Sequence, residues 1–186
     1  NYFTKLEEFS TKIYEKVKMN NRTRYLSLYN YLEKNHKIIV RDILPKKDKP
    51  FTKIFFPEKK EFHLSDLLNL ETKKLFAAAL VAQLEADDII EEYLNDFSFP
   101  SESSRKVTKV ALLNYAGAAI IMPYDIFFHE CVKKHRYDLE LLQSTFAVSF
   151  EQVCHRVTSL NNPDPKLRGI PLHMIRVDRS GNVSKR

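Results

Sequence analysis

Glycine is nearly missing from this sequence, with three in 186 residues, at positions 117, 169 and 181. Phosphate cradles such as GxGxxG turns and P-loops need clustered glycines so that backbone amides can approach the phosphates, so neither can be built here. Phosphate contacts would have to come from side chains or helix ends. Cysteine is scarcer still, with Cys131 and Cys154 alone. Two thiols outside any CxxC spacing make no disulfide framework and no four-thiolate metal site, and they predict reduced cysteines in a cytoplasmic protein. Tryptophan is absent, and 13 Phe and 9 Tyr carry the aromatic content. Long apolar runs are lacking too. The longest, residues 107–123, is interrupted by Thr108, Lys109, Asn114 and Gly117, which predicts a buried helix of a soluble domain, not a membrane span or a signal peptide.

What remains is a globular composition. Hydrophobic residues make up 44% and charged residues 29%, enough to build one core of domain size. The net charge of +6 favours contact with phosphates, but the charges are interspersed and establish no DNA-binding surface. The chain opens at Asn1 and stops at Lys185-Arg186 beside a structured-looking segment, so it is expected to be one piece of a longer protein.

Phe3, Leu6, Phe9, Ile13 and Val17 recur at spacings of three and four, predicting an amphipathic helix that ends near Asn20-Asn21. A second helix is predicted over residues 24–33. Residues 36–44, 51–56 and 61–64 are β-branched or aromatic runs separated by Pro45, Pro50 and Pro57, and they predict a small antiparallel sheet. One long helix is predicted over 73–94, apolar on nearly every side in its first half. A serine-rich loop over 95–104 leads to a helix over 105–121, which Met122-Pro123 breaks. Pro123 can open the next helix, to about His135, and Asp138 caps another that reaches Phe146. Ser149 with Gln152 three residues on has capping-box spacing, and Val148 and Val153 stand where a hydrophobic staple places them. A strand over 170–177 and a turn at Ser180-Gly181-Asn182 close the chain. The order defines an α+β domain: N-terminal helices over 1–34, a small sheet over 35–65, a helical core over 66–160 and a closing strand and turn over 170–186.

Few residues point to chemistry by themselves. His129-Glu130 with His135 superficially resembles a zinc-protease helix, but the histidines are six apart where HExxH needs four to share a face. The simpler reading is a solvated helix with a Glu130 to Lys134 pair. Cys154 beside His155 is equally poor as a nucleophile, since helical neighbours point about 100° apart. Tyr115 shares a helix face with Ala111, Leu112, Ala118, Ala119 and Met122, most of them small, which leaves room beside the ring; an ordinary core tyrosine fits the same pattern. Strand alternation puts Arg176 with Ile170, Leu172 and Met174, facing either a pocket anion or, by snorkelling, water. Lys53, Lys59 and Lys60 surround the small sheet, where a solvated face is the default.

Four blocks carry a resemblance. They are residues 114–124 (Asn-Tyr-Ala-Gly-Ala-Ala-Ile-Ile-Met-Pro-Tyr), 136–142 (Arg-Tyr-Asp-Leu-Glu-Leu-Leu), 148–156 (Val-Ser-Phe-Glu-Gln-Val-Cys-His-Arg) and 175–185 (Ile-Arg-Val-Asp-Arg-Ser-Gly-Asn-Val-Ser-Lys), with weaker matches over 32–40, 55–65 and 76–84. In order and spacing the chain resembles the short-chain fatty acyl transcriptional regulators (ScfR type), whose central domain is related to the ImmA/IrrE metallopeptidase-like fold. The resemblance implies a degenerate zincin-like core, an N-terminal helix-turn-helix that binds DNA, and a C-terminal cysteine-containing region in which any iron–sulfur cluster would lie. It also implies CoA or a short-chain acyl-CoA as effector and a homo-oligomer in the full-length form. By the same implication Lys53, Lys60 and Arg176 are the expected phosphate or nucleotide contacts and Tyr115 the expected wall of the pantetheine or acyl channel. Where a peptidase relative has HExxH, this chain reads Leu80-Val-Ala-Gln-Leu-Glu85, without histidine, so neither a metal nor zinc hydrolysis is expected. The alternative is a catalytically dead peptidase-like scaffold that binds a protein partner or acts as an antirepressor.

Overall fold

A computed structural model describes residues 2–18 and 24–185. Helix α1, Thr4–Val17, buries Leu6, Ile13 and Val17 as its spacing predicts, and with them two polar residues, Glu7 and Ser10. The expected end at Asn20-Asn21 lies outside the described residues. Helix α2, Arg24–His36, continues three residues past Glu33 and buries Leu28 and Leu32.

Strands β1 (Ile39–Ile43), β2 (Lys53–Phe56) and β3 (Glu61–Ser65) form a three-stranded sheet in the order β1-β3-β2. β2 and β3 are an antiparallel hairpin, with Phe55 opposite Phe62. β1 runs parallel to β3, with Val40 opposite Phe62, so the sheet is mixed and the antiparallel expectation holds for one pair only. β3 is central because its alternate residues Phe62 and Leu64 are the ones buried in the helical core.

The long helix expected over 73–94 is two helices, α3 (Leu70–Glu85) and α4 (Asp87–Asn95), split at Ala86, whose φ of −133° is not helical. Asp87 and Asp88 open the second helix, where negative charge meets the positive end of the helix dipole, and the change of direction lets Ile90 and Leu94 into the core. Asn69 starts α3 by accepting from the Thr72 amide at 2.9 Å. Helix α5, Glu102–Ile121, begins three residues before the expected Arg105 because Ser101 caps it, accepting from the Ser104 amide at 3.1 Å. α3 and α5 cross at the centre of the domain, with Gly117 against the backbone of Ala79.

Pro123 opens α6, Tyr124–Phe128, which runs into a π-helical turn, His129–Lys134. α7 (Leu139–Phe146) starts at Asp138, and α8 (Phe150–Val157) starts at Ser149 with both halves of the capping box in place. Lys74 of α3, 3% exposed, donates to the carbonyls of Phe146 and Ala147, filling the acceptors that the end of α7 leaves open. Beyond the short 3-10 turn Pro165–Leu167, the predicted strand over 170–177 is reduced to β4, Arg176–Val177, paired antiparallel with β5, Val183–Lys185. Among the described residues the segment 170–175 pairs with no strand, and the Ile170 amide donates to the Tyr137 hydroxyl at 2.7 Å instead, so alternation there failed as a strand signal. The fold is thus a mostly helical α+β domain with a small sheet. Among the described residues no single helix is long and apolar enough to cross a membrane.

Candidate functional site

A cavity of about 800 Å³ is a cleft walled by α3, α5 and α8. α5 contributes Ala111, Leu112, Tyr115 and Ala118; α8 and the residues after it contribute polar groups from Ser149 to Ser159; Phe3 stands at the start of α1 on one side. The two alanines, one turn to either side of Tyr115, supply the room that their size promised. A cavity of this volume, part apolar and part polar, suits a small organic ligand.

One wall of the cleft is a buried ionic cluster. Arg156 is 2% exposed and Glu7 is 3% exposed. The guanidinium meets the Glu7 carboxylate through two nitrogens, at 2.6 and 2.8 Å. Its Nε donates to the Met122 carbonyl at 2.9 Å, and Nη1 also donates to Ser159 Oγ at 3.1 Å. The Tyr115 hydroxyl donates to Glu7 as well and accepts from the Phe3 amide at 3.4 Å. Rings of Tyr124, Tyr115 and Phe127 lie 5.6, 5.9 and 6.0 Å from the guanidinium carbon. Burial by itself would weaken the Arg156 charge, but the Glu7 carboxylate outweighs it and holds the pKa above its ordinary value. Burial, then the Glu7 charge, raises the Tyr115 pKa, so the phenol stays a donor. Through these contacts the charge on α8 fixes α1, the end of α5 and the start of α6 together.

The four residues singled out in the sequence lie in different places. Tyr115 lines the cleft. Arg176 is exposed, not turned inward with Ile170, Leu172 and Met174, and pairs at 3.3 Å with Glu151, a residue of the cleft's lining. Lys53 lines a smaller adjoining cavity, its Nζ 4.3 Å from the centre of the Phe76 ring. Lys60 sits in the exposed turn between β2 and β3 with φ of 50° and lines neither cavity. Glu7, Arg156 and Ser159 were missed. The signal for Glu7 was slight: an acid next to Leu6 on a helix whose other acids are solvated.

Among the described residues no group of three His, Cys, Asp or Glu side chains is placed to hold a metal ion. Leu80, on the helix where HExxH stands in a peptidase, is 3% exposed and lines the smaller cavity. Glu130 pairs with Lys134 at 2.9 Å as expected, and also with His135 at 3.1 Å, in a π-helical and not an α-helical turn.

Both cysteines are free. Cys131 is fully buried, and burial pushes its thiol up to about 12. Because the thiolate is the reactive form, at pH 8 it should carry about a thousandfold less thiolate than a free cysteine. In a timed alkylation of the native protein read by peptide mass spectrometry, Cys131 should stay unmodified until urea unfolds the chain. Rapid native labelling would show that the helices around it open.

The matched fold and sequence define a class. The chain belongs to the IrrE N-terminal-like domain family (Peptidase_M78), whose model matches residues 34–158. Its relatives include transcriptional regulators. The HTH-type transcriptional regulator PrpR of Mycobacterium tuberculosis is 32% identical over 149 residues, covering 80% of this chain and 29% of PrpR. The HTH-type transcriptional regulator RamB of the same organism is 41% identical over 109 residues, 59% of this chain and 22% of RamB. The propionyl-CoA carboxylase regulator of Cereibacter sphaeroides is 37% identical over 106 residues, 57% of this chain and 22% of that protein. A solved Mycobacterium tuberculosis transcriptional regulator superposes with a TM-score of 0.91 at 28% identity, over all of this chain and 55% of its own. The chain thus spans 22–29% of the length of these curated relatives.

Proposed function

We propose that this chain is the effector-sensing domain of a transcriptional regulator of short-chain acyl metabolism, and that its cleft binds CoA or a short-chain acyl-CoA to alter DNA binding by the full-length protein. The observation that carries the reading is the 800 Å³ cleft with Tyr115 between two alanines, in a domain whose relatives are regulators, one of them named for propionyl-CoA carboxylase. Tyr115 and its alanines take the pantetheine or acyl part, and Arg176 beside Glu151 takes phosphate at the cleft's edge. Lys60 and Lys53 are dropped from this set, since Lys60 lines neither cavity and Lys53 lines only the smaller one. DNA contact would belong to a helix-turn-helix outside these residues.

Binding changes an equilibrium only where the ligand prefers one of two arrangements. The cluster behind Tyr115 supplies such a pair of arrangements, because Glu7 of α1 already occupies the carboxylate position on Arg156. A ligand anion that reaches Arg156 competes with Glu7 and loosens α1. One that stays at the edge leaves α1 in place.

One observation favours a second reading, the protein-binding scaffold. The interior cation of the cleft is already matched by Glu7, and Glu151 adds negative charge to the lining. Thermal unfolding with CoA and propionyl-CoA separates the two. A ligand at a hundred times its Kd adds about 2.7 kcal/mol, a rise in Tm of about 5–10 °C for a chain of this size. Ala111→Trp, which fills the cleft from its exposed side, should abolish the rise. A Tm unmoved by either compound leaves the scaffold.

A further inference from the structure

A second cavity, of about 240 Å³, lies between the β2–β3 hairpin and helices α3 and α5. Its lining is uneven in charge: ten residues, one of them basic, Lys53, and none acidic. Phe55, Phe62, Phe76, Leu80 and Leu113 make most of its surface apolar, and Gln83 and Asn114 add amide groups. The other lysines drawn into the fold are matched by oxygen. Lys73 meets Asp66 at 3.1 Å and Asp42 at 3.3 Å, and Lys74 meets two backbone carbonyls. Lys53 has an aromatic face instead, at 4.3 Å, and none of the described carboxylates pairs with it. Although its side chain is exposed along one side, the apolar surroundings of the ammonium lower its pKa. That is a cation held beside an apolar hollow without a counter-ion.

We propose that this pocket is a binding site for a small free carboxylic acid, its carboxylate on Lys53 and its short hydrocarbon body against Phe55, Phe62, Leu80 and Leu113. Charge sets the sign of the ligand, since a carboxylate gives Lys53 a charge-assisted hydrogen bond and meets no acid in the lining. Size sets its length. At about 30 Å³ for each water-sized unit, the hollow holds about eight non-hydrogen atoms, which is a carboxylate of up to about six carbons. The site stands apart from CoA binding, yet Phe76 and Asn114 line both cavities, so occupancy of one bears on the wall of the other.

The test is methyl NMR of the whole chain titrated with butyrate, with butylamine as the control of opposite charge. Butyrate should shift the methyls of Leu80, Val110 and Leu113 saturably, and butylamine should not. Lys53→Met, at an exposed position, should keep the fold by circular dichroism and weaken butyrate about tenfold, the loss of one charge-assisted contact. Still methyls with butyrate, equal shifts with butylamine, or undiminished binding by Lys53→Met would overturn the proposal. CoA binding is read separately at the methyls of Ala111 and Ala118, so either site can fail without the other.

Discussion

Arg156→Met is expected to destabilise the domain by about 3–5 kcal/mol, because it removes one partner of a buried ion pair and leaves the other in place. Glu7 would remain 3% exposed with its charge opposed by nothing but the Tyr115 hydroxyl, and the Met122 carbonyl would lose its donor. For a chain of this length the loss corresponds to a fall in Tm of about 6–20 °C, measurable by calorimetry. The double variant Glu7→Leu with Arg156→Met should recover most of it, since a buried pair exchanged for apolar side chains of similar volume is often neutral. If the single variant loses less than about 1 kcal/mol, water reaches the pair and the cluster is not the buried clasp its geometry describes.

The double variant also separates stability from transmission. It holds α1 on the domain by packing alone, through Leu6, Ile13 and Val17 and the hydrogen bond from Ser10 to the Ala116 carbonyl. A ligand could still fill the cleft beside Tyr115 but would find no charge to take from Glu7. If a phosphate of the effector reaches Arg156, such a variant of the proposed full-length regulator should bind effector and lose its effect on operator affinity. The proposed sensor therefore rests on a contact that stabilises the fold in one arrangement and competes with ligand in the other.

The legible parts of this fold were those governed by neighbours in sequence. The capping box at Ser149, the cap at Asp138 and the break at Pro123 all depend on residues within a turn of one another, and each stands where its spacing places it. The place of Tyr115 on the wall of the cleft was legible for the same reason, as its alanines lie one turn away. Long-range features were not. Whether β1 pairs with β2, its neighbour in sequence, or crosses to the free edge of β3, where it lies parallel, is stated by nothing within the strand sequences. The split at Ala86 answers to the core beneath it, against an unbroken helical pattern. The pairing of Glu7 with Arg156 spans 149 positions, and each is unremarkable locally: one acid beside another, one base beside a histidine.

The other large effect should come from Gly117, the one glycine in a helix interior. Helix propensity by itself predicts that Gly117→Ala stabilises α5 by about 1 kcal/mol. Packing opposes it. A Cβ there would stand 2.9 Å from the Ala79 amide nitrogen, 3.2 Å from its Cα and 3.2 Å from the Leu75 carbonyl oxygen. These are backbone atoms of α3, which cannot rotate aside as a side-chain end can, so the helices must separate. Overpacking costs about 1–3 kcal/mol, which exceeds the propensity gain, and Gly117→Val, with two further methyls at the same crossing, should cost several times that of alanine or prevent cooperative folding. Gly181, whose added Cβ would meet nothing but whose φ of 85° disfavours a side chain, separates backbone strain from this clash. Because Phe76 of α3 and Asn114 of α5 wall both cavities, Gly117→Ala should loosen butyrate and CoA together while Lys53→Met affects butyrate alone. An alanine variant as stable as the parent, with both ligands bound as before, would mean that α3 and α5 do not meet backbone to backbone, and the two cavities would lose their common wall.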